Sequence, residues 1–360
     1  MILAPVTGPN AERGATLVNA AQLALNGMPL DVRDTGGTPQ GAAAAAQAAI
    51  AAGAGVLIGP LTGAETQAVA PIARAAKIPM LAFTNDSSVG GDDVWALGVT
   101  PAQQVRRLVT ASVAQGKSRF AAVLPDSVYG HAMAQALTSA TSAAGVASPD
   151  IHFHTDSNAS IAAAMKDVSG FSTRRGPLDD EIQAARARHD KAAVAALRAR
   201  GVGAAPFDAL LLADTGDRLA YLSTFLEYYD IGSSNARLLG PALWAEPATH
   251  AGAQIDGAWY AAPDPTARAT FDAAYSAKTG APAPGLADLA YDAASIAKTA
   301  APDGFSSESL TRPDGFTGAD GVIALRPDGS VRRGLAVFEI GADGAKIVEP
   351  APTTASDPAS

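Results

Sequence analysis

The most informative absences in this chain are those of cysteine, of dense positive charge and of long apolar runs. None of the 360 residues is a cysteine, which excludes disulfides, thiolate metal sites and cysteine nucleophiles. Only 17% of the residues are charged, the net charge is −9, and no segment is rich in Lys and Arg. We therefore expect no nucleic-acid binding and no polybasic membrane contact. No apolar run reaches the roughly 18 residues that a membrane-spanning helix needs, so we also predict no membrane span.

The N-terminus lacks the features of an export signal. Met1 leads directly into the apolar segment Ile2–Val6, without a charged region or an apolar stretch that ends at a small-residue cleavage site. Two alternatives follow from the sequence. The protein is cytoplasmic, or it is an exported protein whose signal has been replaced by a starting Met.

The chain does contain a regular alternation of short apolar segments with helical ones. Its length exceeds what one compact core usually organises, and 48% of its residues are hydrophobic, so we expect two lobes. In the N-terminal part the predicted strands are Ile2–Val6, Leu30–Val32, Val56–Ile58, Met80–Phe83 and Val94–Leu97, and the predicted helices are Glu12–Leu25, Gln40–Ala52 and Ala64–Ala76. This alternation predicts βαβ units and a parallel sheet.

A second α/β series follows Pro101. Its predicted elements are helix Gln103–Gln115, strand Phe120–Leu124, helix His131–Ala144, strand Ile151–Phe153, the charged helix Asp179–Arg200, strand Ala209–Ala213, helix Arg218–Tyr229 and strands Arg237–Leu239 and Gly257–Tyr260. Two helices, Pro265–Thr279 and Leu286–Ala300, precede a predicted hairpin of Val322–Leu325 with Leu335–Ile340. The stretch Pro350–Ser360, rich in Pro, Ala, Ser and Thr, predicts a disordered tail.

Small, hydroxyl-rich loops follow the predicted strands, and parallel sheets bind ligands beyond the carboxyl ends of their strands. These loops are Thr7-Gly8-Pro9, Thr62-Gly63-Ala64, Thr84-Asn85-Asp86, Asp126–Gly130, Asp214–Asp217 and Ala242–Trp244. Each loop taken alone is better explained by Thr, Asn and Asp capping the next helix. Several such loops at one edge favour a binding site, with Trp244 as a wall of the cleft.

Three patterns point elsewhere but carry little weight. Asp34-Thr35-Gly36 and Asp214-Thr215-Gly216 have the spacing of the paired motifs of pepsin-like proteases, yet both fall in βαβ patterns, where Asp-Thr-Gly is ordinary turn chemistry. His152 and His154 have a spacing that can hold a metal, although we expect a surface pair. The interleaved charges of Asp179–Arg200 indicate a solvated helix face. We therefore predict no metal, no cofactor and no enzyme activity, because no acid, base and nucleophile converge on one set of loops.

Several of these segments, in this order, resemble the Leu/Ile/Val-binding family of type I periplasmic binding proteins. The matching segments are Leu3–Pro9, Val56–Thr62, Ile78–Leu81, Asp126-Ser127-Val128-Tyr129-Gly130, Leu239-Gly240-Pro241 and the closing hairpin, so that the resemblance spans about residues 1–345. It implies an α/β fold of two Rossmann-like lobes with parallel central sheets, joined by three crossovers and closing on a ligand by hinge motion. It also implies export to the periplasm and delivery of the ligand to an ABC permease.

The resemblance further implies a division of the chain and a set of ligand-binding residues. Residues 1–99 and 262–328 form lobe 1, residues 100–261 and 329–348 form lobe 2, and 349–360 form the tail. Tyr129 matches the Tyr that covers the ligand, Thr62 and Gly63 fall where the family holds an α-carboxylate, and Thr84, Asn85 and Asp86 fall on the next loop. Together with Thr7, Thr215, Asp217, Leu243 and Trp244, these residues are the predicted ligand-binding site.

Two departures leave two functional hypotheses open. Gly63 stands where the family tends to have Ser, and Ala242-Leu243-Trp244 has no acid where the family pairs an α-ammonium. The first hypothesis is a periplasmic solute-binding protein for a small polar molecule such as an amino acid, held in a cleft for ABC-type uptake or sensing. The second follows a resemblance of Asp31–Thr35, Gly59–Leu61 and Phe225–Asp230 to the penicillin-binding-protein activators, the LppC/LpoA-like outer-membrane lipoproteins. It implies a regulator of a peptidoglycan synthase, anchored through a lipid-bearing cysteine upstream of Met1.

Overall fold

The computed structural model describes residues 1–200 and 202–355, which divide into two compact units. Unit 1 contains Met1–Gln103, Pro263–Ala336 and the described residues from Pro350 onward, and unit 2 contains Gln104–Ala262 and Val337–Glu349. The chain therefore passes between the units after Gln103, Ala262, Ala336 and Glu349. The last of these passages exists because the C-terminal residues return to unit 1.

Fifteen strands and twelve α-helices make up the described residues. The N-terminal segment contains β1 (Ile2–Ala4), α1 (Ala11–Leu25), β2 (Val32–Asp34), α2 (Pro39–Ala51), β3 (Leu57–Ile58), α3 (Gly63–Ala76), β4 (Met80–Ala82), β5 (Val94–Ala96) and α4 (Pro101–Ala114). The middle segment contains β6 (Phe120–Pro125), α5 (Val128–Ala143), β7 (Asp150–His154), α6 (Asn158–Ser169), α7 (Phe171–Ala187), α8 (Lys191–Ala199), β8 (Ala209–Leu212), α9 (Gly216–Tyr228), β9 (Arg237–Gly240) and β10 (Trp259–Ala262). The C-terminal segment contains α10 (Pro265–Thr279), α11 (Ala287–Ala300), α12 (Ser307–Leu310), β11 (Phe316–Gly318), β12 (Gly321–Leu325), β13 (Val331–Arg333), β14 (Ala336–Gly341) and β15 (Gly344–Glu349).

Unit 1 is built on a parallel five-stranded sheet in the order β2-β1-β3-β4-β5, which is covered on both faces. Successive strand residues point to opposite faces, so Ile2 and Ala4 pack with α1, α10 and α11, whereas Leu3 packs with α2 and α3. Strands buried on both faces read as continuous apolar runs, as those of this sheet do. The predicted α/β architecture with a parallel central sheet is confirmed for this unit.

Unit 2 is built on a seven-stranded sheet in the order β15-β14-β10-β9-β8-β6-β7. The pairs from β7 to β10 are parallel, and β14 and β15 form an antiparallel hairpin at one edge. The parallel part follows the predicted order of strands and helices, with the additional helix α6 between β7 and α7. The α/β class predicted for the second half of the chain is therefore confirmed as well.

The predicted closing hairpin was wrong in its pairing. The structure pairs β12 with β13, not with the segment Leu335–Ile340, and this hairpin joins β11 in a small antiparallel sheet of unit 1. Residues 329–336 consequently belong to unit 1, against the expected boundary at 329. The Asp328 carboxylate accepts hydrogen bonds from the amide and the hydroxyl of Ser330, which stabilises a tight turn over Asp328-Gly329-Ser330. This turn connects β12 directly to β13.

Two further predictions need correction. The single charged helix Asp179–Arg200 is two helices, α7 and α8, separated at His189 by a left-handed backbone conformation (φ 56°), after which Asp190 caps α8 by accepting from the Ala193 amide. The tail is ordered as far as it is described, since Ala355 is buried and its carbonyl accepts a hydrogen bond from Arg326 at 3.0 Å. The predicted disorder of 356–360 lies outside the described residues.

Candidate functional site

In unit 1 the predicted binding loops follow strands that are neighbours in the sheet. Strand β1 lies between β2 and β3, so the chain order reverses direction between β1 and β3, and β4 lies beside β3. A crevice for ligands opens at such a switch point, beyond the carboxyl ends of the strands. Thr7 follows β1, Thr62 and Gly63 follow β3, and Thr84 to Asp86 follow β4.

Thr7 is engaged with the loop after β2. Its hydroxyl donates to Asp34 Oδ2 at 2.5 Å, and Asp34 Oδ1 accepts from the amides of Val6, Thr7 and Gly36 at 2.9–3.2 Å. The hydrogen bond from Thr7 is the main reason why the pKa of Asp34 lies below its ordinary value. In the first Asp-Thr-Gly triplet, Asp34 therefore joins the loop after β2 to the loop after β1 by hydrogen bonds, which is the structural role that turn chemistry predicts.

Thr62 is a helix cap whose hydroxyl is fully used. It accepts from the Glu65 amide at 3.2 Å and donates to Glu65 Oε2 at 2.8 Å, while the Thr62 amide donates to the same carboxylate at 3.0 Å. This is a capping box at the start of α3. Glu65 is completely buried, and its Oε1 accepts from the Thr35 hydroxyl at 2.7 Å. The capping alternative therefore accounts for Thr62.

Gly63, Thr84 and Asp86 come together and form what we call the Asp86 cluster. A Cβ on Gly63 would lie 3.4 Å from both the Thr84 hydroxyl oxygen and Asp86 Oδ2. Asp86 Oδ1 accepts from the amide and hydroxyl of Ser88. Within the described part of the chain, Asp86 Oδ2 receives only a long hydrogen bond, 3.4 Å, from Gln67. Asn85, between Thr84 and Asp86, is exposed. The hydroxyl of the buried Thr84 accepts from the Asp86 amide at 3.0 Å, so the cluster presents one weakly engaged carboxylate oxygen.

In unit 2 the corresponding edge is formed by the loops after β6, β8 and β9. Ser127 caps α5 by accepting from the Gly130 amide, and the next residues, Val128 and Tyr129, are 91% exposed and half-buried respectively. Burial raises the pKa of Tyr129 to about 12, so its phenol stays protonated at neutral pH. Thr215 precedes α9 without a side-chain capping bond, Asp217 is exposed, and Leu243 is 53% exposed.

Trp244 lies in the interior of unit 2, which corrects the prediction that it is a wall open to a ligand. It is 1% exposed, and its ring covers Gly240, where a Cβ would lie 2.1 Å from a ring carbon. Its indole N–H donates to the Asp214 carbonyl at 3.0 Å. Trp244 thereby ties the loop after β9 to the loop after β8.

His154 is also buried, so the expectation of a surface pair with His152 was wrong. Its Nε2 lies 2.9 Å from Asp214 Oδ2, and its Nδ1 lies 2.9 Å from the Thr155 carbonyl oxygen. His152 instead lies 3.1 Å from Asp150. No group of three or more His, Asp or Glu side chains in residues 1–200 and 202–355 is arranged to hold a metal ion. The second Asp-Thr-Gly triplet is thus part of a buried histidine–carboxylate pair.

Sequence reasoning missed Glu65, Asp34 and His154 as residues that shape these edges. The spacing Thr62-x-x-Glu65 is the sequence signature of a capping box and was sufficient to find Glu65. The sequence indicated that Asp34 belongs to a turn, but not that its carboxylate accepts hydrogen bonds from the Thr7 loop. No sequence pattern joins His154 to Asp214, because they lie 60 residues apart and meet across the end of β6.

Comparison with known proteins places the chain in a family. The model of the periplasmic binding protein family matches residues 2–345, and the chain belongs to that family. The family comprises the substrate-binding proteins of ABC transporters rather than enzymes. A search of the curated proteins finds no significant match. None of the helices in the described part of the chain is long and apolar enough to cross a membrane.

Solved structures share the fold at low sequence identity. A leucine binding protein from Thermotoga maritima is 17% identical, with a TM-score of 0.58 and coverage of 96% of both chains. A branched-chain amino acid ABC transporter periplasmic ligand-binding protein from Burkholderia xenovorans is 15% identical, with a TM-score of 0.65 and coverage of 99% of this chain and 95% of the other. A solute-binding protein from Rhodopseudomonas palustris, in complex with 3,4-dihydroxybenzoic acid, is 15% identical, with a TM-score of 0.54 and coverage of 98% and 95%.

Proposed function

We propose that this chain is a periplasmic solute-binding protein for ABC-type uptake, and that its ligand is a small molecule with an amine and an apolar side chain, such as an apolar amino acid. The observation that carries the proposal is the Asp86 cluster at the carboxyl ends of β3 and β4. Among the described residues Asp86 Oδ2 has one hydrogen bond, which is long, and a Cβ at Gly63 would lie 3.4 Å from it. A carboxylate oxygen in this setting is a suitable partner for an ammonium group.

The charge at both edges favours a cationic group over an anionic one. In unit 1 the edge carries Asp34 and Asp86, with the buried Glu65 beneath it. In unit 2 the corresponding edge carries the acids Asp126 and Asp156 in loops, Asp214 after β8 and Asp217 in the first turn of α9, together with Arg218 of α9 and His154 at the end of β7. A bare carboxylate ligand would meet this surface with unfavourable charge, whereas an ammonium group gains from it.

The edge of unit 2, considered by itself, carries exposed apolar side chains. Val128 and Leu243 are 91% and 53% exposed, and they flank the loops that carry Tyr129 and Thr215. Exposed apolar side chains at a binding edge suit an apolar ligand group. The names of two of the structural relatives, which refer to leucine and branched-chain amino acids, support the same ligand class.

The test is a binding measurement by titration calorimetry with three probes: L-leucine, L-ornithine and 3,4-dihydroxybenzoate. We expect L-leucine to bind, L-ornithine, whose side chain is charged rather than apolar, to bind more weakly, and 3,4-dihydroxybenzoate not to bind. Asp86→Asn keeps an oxygen that can accept from Ser88 but removes the charge, so it should weaken amine binding about 10- to 100-fold, as loss of a charge-assisted hydrogen bond does. Asp303→Asn, which removes an exposed charge of the same unit away from the cluster, is the matched control and should bind as the original chain does.

Two outcomes would count against the proposal. Binding of 3,4-dihydroxybenzoate without binding of either amino acid would reject the amine and favour an aromatic acid, as in the Rhodopseudomonas palustris complex. Equal affinity of Asp86→Asn and the original chain would remove Asp86 from the site. The regulator hypothesis stays a prediction, because nothing in residues 1–200 and 202–355 favours it specifically.

A further inference from the structure

His154 occupies the carboxyl end of β7, where it is 1% exposed and both of its ring nitrogens face acceptors. Nε2 lies 2.9 Å from Asp214 Oδ2, and Nδ1 lies 2.9 Å from the Thr155 carbonyl oxygen. A neutral imidazole has one N–H and can donate to only one of them. With Asp214 ionised, both hydrogen bonds form together only when the ring is an imidazolium, which also gives the buried carboxylate its counter-charge.

Asp214 connects this pair to the loops that form the edge of unit 2. Its carbonyl accepts the Trp244 indole N–H, and the next residues, Thr215 and Asp217, begin α9. Asp214 Oδ1 has no hydrogen-bond partner in the described residues, and Arg218 Nε lies 3.5 Å from it. The bond from His154 is therefore the main anchor of the Asp214 side chain.

Charged groups from every neighbouring element lie around this pair. They are Asp214 after β8, Arg218 on α9, Asp156 after β7, Asp126 after β6 and His131 on α5. Asp156 pairs with Arg218, and His131 Nε2 lies 2.9 Å from Asp126, whose amide donates to the His154 carbonyl. Arg218 opposes a positive charge on His154, and the nearby carboxylates favour one.

We propose that His154 is a positioning residue whose imidazolium form fixes the Asp214 loop and Trp244, so that this edge of unit 2 loosens when His154 loses its proton. The consequence for ligand binding, a lower affinity at higher pH, rests on the proposed function. The loosening of the Asp214 loop and Trp244 is independent of the proposed function.

The direction of the pH dependence follows from the surroundings of the ring. Desolvation lowers the pKa of His154, but the hydrogen bonds to Asp214 and to the Thr155 carbonyl outweigh it, and the pKa lies above the ordinary 6.5. The fixed state is therefore complete below pH 6.5 and is lost as the pH rises through the pKa of His154. In the neutral ring one acceptor loses its donor, and a buried carboxylate without a donor is costly.

The experiment uses the ligand-free full chain in two ways. NMR titration of the His154 ring, assigned by comparison with His154→Gln, should give a pKa above 6.5, and the Trp244 indole resonance should move with the same midpoint. Amide hydrogen exchange of peptides covering 214–218 and 242–245, divided by the intrinsic rate at each pH, should rise about tenfold through that midpoint, the factor that corresponds to loss of one buried hydrogen bond.

Two variants distinguish a positioning role of the His154 charge from a role of its ring in packing alone. His154→Gln should show raised exchange in both loops with no pH step, whereas His152→Gln, on the same strand but paired with Asp150, should keep the step. A His154 pKa below 6.5, or a step that persists in His154→Gln, would overturn the inference. If His154→Gln does not fold, replacing the other four histidines one at a time assigns the His154 ring by elimination, and the titration of the original chain still decides. Failure of the three probes to bind would reject the proposed function and leave these readouts unaffected.

Discussion

Replacing Asp292 with Asn should stabilise unit 1 at neutral pH, although Asp292 takes part in a buried ion pair. Arg333 contacts Asp292, lies 3.5 Å from Asp320 and 3.9 Å from Asp288, and is 3% exposed. Arg268 lies 3.4–3.5 Å from Asp320 and Asp288. Three acids thus share two arginines in the interior of unit 1, and both arginines keep acidic partners when one acid becomes neutral.

The expected gain in the free energy of unfolding follows from the pKa of Asp292. Burial raises it from 3.8 to about 6, even though the charge of Arg333 opposes the change. The folded chain therefore binds this proton more tightly than the unfolded chain does, and the stability that Asp292 contributes is fully present below about pH 4 and is lost as the pH rises through about 6. At about 1.4 kcal/mol for each tenfold change in proton affinity, holding Asp292 ionised at pH 7 costs about 3 kcal/mol.

Asn resembles the protonated acid, so Asp292→Asn should match the original chain at pH 4 and exceed its free energy of unfolding by about 3 kcal/mol at pH 7. Its amide oxygen can still accept from the Ala319 amide, which lies 2.6 Å from Asp292 Oδ1. Asp34 and Asp328 in the same unit have lowered pKa values, so their ionised forms stabilise the folded chain. That contribution to the free energy of unfolding is lost only as the pH falls below the ordinary pKa of an aspartate.

Urea unfolding at a series of pH values, followed by hydrogen exchange of peptides from unit 1, measures this difference without interference from unit 2. Asp303→Asn, an exposed site in the same unit, controls for the lost charge and should show no pH-dependent gain. If Asp292→Asn is instead less stable at pH 7 by about 3–5 kcal/mol, the pairing with Arg333 outweighs desolvation and the reasoning is refuted.

Two further predictions concern the binding edges. Gly240→Ala should destabilise unit 2 by about 1–3 kcal/mol, because its Cβ would lie 2.1 Å from the Trp244 ring; an unchanged thermal midpoint would mean that the ring moves aside freely. Thr62→Ala should cost about 1–2 kcal/mol through loss of the capping box, and Thr62→Ser should recover most of it in the same urea assay; equal losses in the two variants would contradict a capping role.

The fold was predictable because its determinants are local and periodic. Strands such as Met80–Ala82 are short apolar runs between turn residues, and α1 carries its apolar stripe at helical spacing, so the α/β order could be read directly. The pairing of β12 was not predictable by the same means, because β13 is only three residues long and contains two arginines. One of them, Arg333, is buried only because three acids from elsewhere in unit 1 meet it, and no local pattern indicates such a cluster.

The positions of these loops at strand ends were predictable, but the hydrogen bonds that each of their residues makes were not. Residue type and strand ends were enough to select the loops of Thr7, Thr62 and Thr84, yet the same hydroxyls that suggest a ligand are those that loops use on themselves. The Thr7 hydroxyl donates to Asp34 and the Thr62 hydroxyl donates to Glu65. Neither hydroxyl can donate to a ligand unless that internal hydrogen bond is broken. Under the proposed function, recognition in unit 1 falls to a group that its neighbours leave weakly bonded, Asp86 Oδ2. The edge of unit 2, taken by itself, offers the start of α9 at Thr215, which has no side-chain capping bond. These leftover groups can be identified only once the internal hydrogen bonds are known, because a free donor or acceptor is defined by the partners that its neighbours have already taken.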